Sequence, residues 1–176
     1  MIECMAMKRR EFLYKTILLA STPLFGGEVV KYAKNITNAT EPYQTITWVL
    51  NDIFPPSKNS PGVKQLNTIG YFHAVLNDKR IDDSEKKFIK NGVKWLNEES
   101  QEQFKSQYYL LNAKQREKLL RDISQKRWCD NWLWTLMNYM FESMFCDPVY
   151  GANINQSGWK WLEYVPGHPR PKKVVV

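Results

Sequence analysis

Trp128 to Cys146 is the most hydrophobic run in the chain, and it constrains the possible folds more than any other stretch. Within it Trp132, Leu133, Leu136, Met137, Met140, Phe141 and Met144 recur at helical spacing. Trp128, Trp134 and Tyr139 carry the apolar surface further round. A helix apolar over so much of its circumference has to be buried on several sides, so it needs other helices to enclose it. Asp147-Pro148 ends the run, because proline pushes the residue before it out of the α region.

The preceding chain supplies the enclosing elements. Ile46, Val49, Leu50, Ile53 and Phe54 share one helical face, which Pro55-Pro56 terminates. Ser57 to Gly62 reads as a loop, and Ser60-Pro61 as a cap followed by a first-turn proline. A single helix is then expected to carry Val63, Leu66, Ile69, Phe72, Val75 and Leu76 inward, with His73 near that face as a hydrogen-bonded structural residue. Asp82-Asp83-Ser84-Glu85 places acids at a helix start, where the dipole favours them, and Phe88, Ile89, Trp95 and Leu96 mark its buried stripe. After a short segment from Phe104 to Leu111, Asn112 and Gln115 form a capping pair for a helix bearing Leu119, Leu120 and Ile123. Glu117 and Arg121 can pair on its surface, where Lys114, Lys118 and, beyond its end, Lys126 read as a solvated face. Alternating strand patterns are nearly absent. The expected fold is all-α: a compact single-domain helical bundle over residues 41–146, followed by an irregular aromatic C-terminal segment over 147–176.

Residues 1–40 read as an address rather than as part of the bundle. Arg9 and Arg10 are followed by Phe12, Leu13 and Lys15, and this layout resembles a twin-arginine export signal. The apolar stretch behind it, Ile17 to Phe25, is far shorter than the ~20 residues that span a bilayer. It suits the short hydrophobic region of a signal peptide. The competing reading is an amphipathic helix with a chance arginine pair.

Composition narrows the functional classes. The formal charge is +7, yet the basic residues are dispersed and no recognition motif accompanies them, which argues against a nucleic-acid partner. The three cysteines, Cys4, Cys129 and Cys146, show no CxxC spacing, and the two histidines are His73 and His168, so metal or haem attachment is unsupported. On one helix Cys129 and Cys146 would sit roughly 25 Å apart, too far for a disulfide, so a buried free thiol is the expectation and a bond to a partner subunit the alternative. There is no GxGxxG for a dinucleotide and no CxxCH for haem.

The C-terminal stretch Asp147 to Pro169 is rich in Gly, Asn, Pro and large aromatics. Gly151 and Asn153 suit positive-φ turn positions. Such a segment is built to be held against something, either the core or another subunit. The run DPVYGAN, then GWKWLEY and PG, resembles the small subunit of membrane-bound gluconate 2-dehydrogenase, often called subunit 3. Asp147, Pro148, Tyr150, Gly151, Asn153, Gly158, Trp159, Tyr164, Pro166 and Gly167 match that pattern, while Ala152 stands where the family usually shows a second glycine. The arginine-pair start and the intervening helices fit the same family.

The resemblance implies a periplasmic complex associated with the inner membrane. In it a large FAD-containing dehydrogenase subunit oxidises D-gluconate to 2-keto-gluconate, and a cytochrome c subunit carrying haem c passes on the electrons. The small subunit holds neither cofactor, has no catalytic residue, and assists folding and export of the flavoprotein through the twin-arginine translocase. On this reading Asp147, Pro148, Tyr150, Gly151, Asn153, Gly158, Trp159, Trp161, Tyr164, Pro166 and Gly167 form the partner-docking segment. The alternatives are a stand-alone periplasmic helical binding protein, and an enzyme using His73 or His168 as base.

Overall fold

The computed structural model describes residues 40–58 and 60–172; Arg9, Arg10, Phe12, Leu13 and the apolar stretch behind them lie outside the described residues. Seven α-helices follow one another: α1 Tyr43–Ile53, α2 Val63–Leu66, α3 Thr68–Asn77, α4 Asp83–Phe104, α5 Ala113–Ile123, α6 Arg127–Phe145 and α7 Ser157–Trp161. Short 3-10 turns at Tyr108–Leu110, Pro148–Tyr150 and Ile154–Gln156 lie between them. Among the described residues there is no strand, only an isolated bridge between Ser57 and Ser60 in the loop before α2. The chain is all-α. Among the described residues no helix is long and apolar enough to cross a membrane.

The hydrophobic run becomes α6, and the bundle is assembled around it. It packs against α1, α2, α3, α4 and α7, burying Cys129, Trp132, Leu136, Tyr139, Met140, Phe141 and Met144. Trp132 shows how closely α4 and α6 approach. Its indole is fully buried and its Nε1 donates to the Ile89 carbonyl at 3.0 Å. A Cβ on Gly92 would lie 2.2 Å from that ring, so glycine is required at the crossing. On the other side, the Thr68 and Ser143 hydroxyls meet at 2.9 Å between α3 and α6. Tyr71 donates to Glu142 at 3.0 Å, and Tyr139 to Glu85 at 2.8 Å, so the buried phenols keep their polar ends satisfied.

The capping chemistry mostly follows the sequence reading. Asp82 accepts the Ser84 N–H at 2.7 Å at the start of α4. Asn112 and Gln115 exchange side-chain and backbone bonds at 3.0 Å each, closing the α5 capping box. Glu117 and Arg121 pair at 2.8 Å.

Three expectations change. The helix expected from Val63 to Leu76 is two helices, because Asn67 adopts a left-handed conformation (φ 56°, ψ 39°) that ends α2 and lets the chain restart as α3. Its start is set by Gly62, whose N–H bonds Gln65 Oε1 at 3.2 Å, and not by Ser60-Pro61. Lys126 is not simply solvated, since its ammonium pairs with Glu99 across α4.

Arg116 on α5 is a buried charge. Its Nε meets Asp52 Oδ2 of α1 at 2.8 Å, its Nη1 donates to the Leu111 carbonyl at 2.5 Å, and its guanidinium lies 4.2 Å from the centre of the Trp48 ring. Tyr108 donates to the same Asp52 oxygen at 2.7 Å. Each polar group in the cluster has a partner, which is what permits a charge at 7% exposure.

Candidate functional site

The C-terminal segment begins where α6 runs out of helix. The carbonyls of its last turn have no partner within the helix and must be satisfied from elsewhere. Two side chains of the segment do this. Asn153 Nδ2 donates to the Cys146 carbonyl at 3.0 Å, and Trp159 Nε1 donates to the Phe145 carbonyl at 2.8 Å. The segment caps the central helix.

Asn153 is the hub. It is fully buried and left-handed (φ 49°, ψ 46°), a conformation that asparagine tolerates better than most residues. Its backbone N–H donates to the Leu66 carbonyl at 2.9 Å, at the end of α2. Its Oδ1 accepts the Gly158 N–H at 2.8 Å, at the start of α7. One side chain with a donor and an acceptor thus ties α6 to α7, while its backbone ties both to α2. The left-handed turn at Asn67 serves the same joint, since Asn67 Nδ2 donates to the Gly151 carbonyl at 2.7 Å.

Two glycines are dictated by this geometry. Gly151 has φ 87°, which L side chains rarely adopt. Gly158 lies so close to α6 that a Cβ there would sit 2.4 Å from both the Met144 carbonyl oxygen and Met144 Cγ. Asn155 and Gln156 are also left-handed (φ 55° and 58°), so the chain between Gly151 and α7 is a run of conformations held in place by surrounding bonds.

Asp147 and Arg170 close the segment on itself. The Asp147 carboxylate accepts the Val149 N–H at 3.0 Å and receives Arg170 Nε and Nη2 at 3.0 and 3.2 Å. The same guanidinium lies 4.9 Å from the Trp159 ring centre. Partial burial disfavours ionisation of Asp147, but the Arg170 guanidinium and the Val149 N–H outweigh it and hold the carboxyl below the usual carboxylate range.

The sequence-selected residues therefore divide. Asp147, Gly151, Asn153, Gly158 and Trp159 converge on one framework against α6, and Trp159 is only 4% exposed. Pro148 and Tyr150 form the half-buried 3-10 turn, and Trp161 packs its edge on Phe54 at 5.8 Å. Tyr164 and Gly167 are exposed, with Pro166 half-buried between them. Tyr164 leans on Trp159 at 5.8 Å, and beside it Val165 is 82% exposed. Ile154, at the opposite end of the framework, is exposed as well.

Reading the sequence alone missed Asn67, Arg170, Ile154 and Val165. Only Asn67 carried a signal, as a turn-tolerant residue inside an apolar period.

Among the described residues no three His, Cys, Asp or Glu side chains are grouped to hold a metal ion. His73 is half-buried near Tyr43, with Asn77 Nδ2 3.5 Å from its Nδ1, and His168 is exposed in the C-terminal tail. Cys129 and Cys146 are free thiols, at the two ends of α6. What the arrangement offers is a braced scaffold with apolar side chains on its outside.

Compared with known protein families, residues 40–167 match the family model described as gluconate 2-dehydrogenase subunit 3. No curated protein and no solved structure matches the chain.

Proposed function

The chain belongs to the gluconate 2-dehydrogenase subunit 3 family, and from that premise we propose that it is the non-catalytic small subunit of a periplasmic, membrane-associated gluconate 2-dehydrogenase complex. Its task is to assist folding, export and stability of the FAD-containing subunit that oxidises D-gluconate to 2-keto-gluconate. The FAD supplies the oxidation chemistry in that partner, and a cytochrome c subunit carries the electrons onward. This chain contributes binding surface.

The observation that carries the reading is the C-terminal segment itself. Its buried polar framework fixes Tyr164 and Val165 outward, with Tyr164 51% and Val165 82% exposed. Large apolar side chains held at a surface suit an anchor for a partner, since little ordering cost remains when it binds. The sequence supports the rest: the paired Arg9 and Arg10 suit export through the twin-arginine translocase, and the chain lacks both GxGxxG and CxxCH.

Deleting this chain from cells that make the flavoprotein subunit tests the proposal. The expected result is that the flavoprotein stays out of the periplasm and membrane-linked D-gluconate oxidation is lost. Export and full activity without this chain would favour the stand-alone binding protein instead.

A further inference from the structure

A second surface lies at the other end of α6, some 25 Å from Asp147 at about 1.5 Å per residue. Trp95, Glu98, Glu99 and Glu102 follow one another at i, i+3, i+4 and i+7 on α4, so they form a single stripe. Trp128, in the first turn of α6, packs against Trp95 with ring centres 5.3 Å apart and planes at 66°. The two indoles and three carboxylates line an open groove of about 340 Å³. Both indoles are half-buried, held from behind by Phe88 and Trp132 at 6.4 Å each.

The charges of the groove are unequal. Glu98 is paired with Lys94 at 3.7 Å, and Glu99 with Lys126. Glu102 has no ion-pair partner among the described residues. The groove therefore presents two π-faces beside one uncompensated carboxylate, which is the complement of a single planar cation.

We propose that this groove binds a guanidinium group, carried on an arginine side chain of a partner polypeptide. A guanidinium can stack on an indole and donate to a carboxylate with the same planar group. A quaternary ammonium has no N–H for Glu102, and a lysine ammonium is a compact, strongly hydrated charge that stacks poorly. The source is a polypeptide because no basic residue lines the groove to receive the α-carboxylate of a free amino acid. This site is independent of the C-terminal segment.

The test is a titration of the full chain, ¹⁵N-labelled on its tryptophans, with acetyl-arginine-amide, acetyl-lysine-amide and free L-arginine. The indole N–H signals of Trp95 and Trp128 are assigned from Trp95→Phe and Trp128→Phe. Acetyl-arginine-amide is expected to move both signals saturably while that of Trp134 stays still, and acetyl-lysine-amide is expected to bind more weakly. Glu102→Gln, an exposed change that leaves the packing intact, should weaken binding about threefold, the scale of one exposed charge or cation–π contact. Four results would overturn the proposal: no movement of the two signals, equal response to the lysine derivative, no effect of Glu102→Gln, or tighter binding of free L-arginine.

Discussion

Asn153 donates its side-chain amide to the Cys146 carbonyl at 3.0 Å, and so joins the C-terminal segment to the end of the helix on which the bundle is built. Its other amide atom holds Gly158 at 2.8 Å. Asn153→Asp keeps the acceptor but replaces the donor with a buried charge facing a carbonyl. The variant should lose about 2–4 kcal/mol of stability, the cost of an uncompensated buried polar group or charge. Denaturant unfolding followed by circular dichroism measures it. A loss below about 0.5 kcal/mol, the level of an ordinary surface substitution, would show that the joint is not structural.

Gly158→Ala tests the close approach of α7 to α6. Because the added Cβ would meet the Met144 carbonyl oxygen at 2.4 Å, and backbone cannot step aside as a side chain can, α7 has to move. The expected loss is about 1–3 kcal/mol, typical of overpacking. Since Trp159 follows directly, its fluorescence should shift towards that of an exposed indole. A variant of unchanged stability and emission would refute the contact.

The Asp147–Arg170 pair makes a pH-dependent contribution. The Asp147 carboxyl lies below its ordinary value in the folded chain, so its stabilisation is complete above the unfolded pKa of about 3.9 and is lost as pH falls through the lower folded value. Wild type should therefore exceed Asp147→Asn in stability at pH 5 to 7, with the gap narrowing below about pH 4. Parallel unfolding curves across that range decide it, and a gap that stays constant down to pH 2.5 would contradict the assignment.

Burial pushes the thiols of Cys129 and Cys146 up to about 12. Thiolate is the reactive form, so in a Cys4→Ser background both should resist a thiol reagent at pH 8 and react on unfolding. Two fast-reacting thiols in the folded protein would show that the C-terminal end of α6 is open.

How much of this was legible beforehand depended on how local the signal was. The α6 stripe was readable because apolar residues at helical spacing declare a buried helix without reference to anything distant. The Asn112 capping box and the positive φ of Gly151 and Asn153 were readable for the same reason. Asn67 was not, because the apolar period runs straight through it and its partner, Gly151, lies 84 residues away. Arg116 was not, because a charge on a polar helix reads as solvated until Asp52 and Tyr108 of other elements are known to face it. In the candidate site, composition marked the segment but could not separate its two kinds of residue. Trp159 proves to be a capping donor to the Phe145 carbonyl, whereas Tyr164 and Val165 keep the surface.

That division gives the most direct test of the central claim, that this chain holds a flavoprotein subunit through its C-terminal segment. The full chain is co-expressed with the flavoprotein subunit, and FAD that co-purifies is measured for wild type and for Tyr164→Ser/Val165→Ser. Both changed residues are exposed, so the melting temperature should not move. The account predicts that wild type brings down FAD-containing dehydrogenase and that the double variant, equally stable, does not. Wild type that purifies free of flavin, or a double variant that retains it in full, would contradict it.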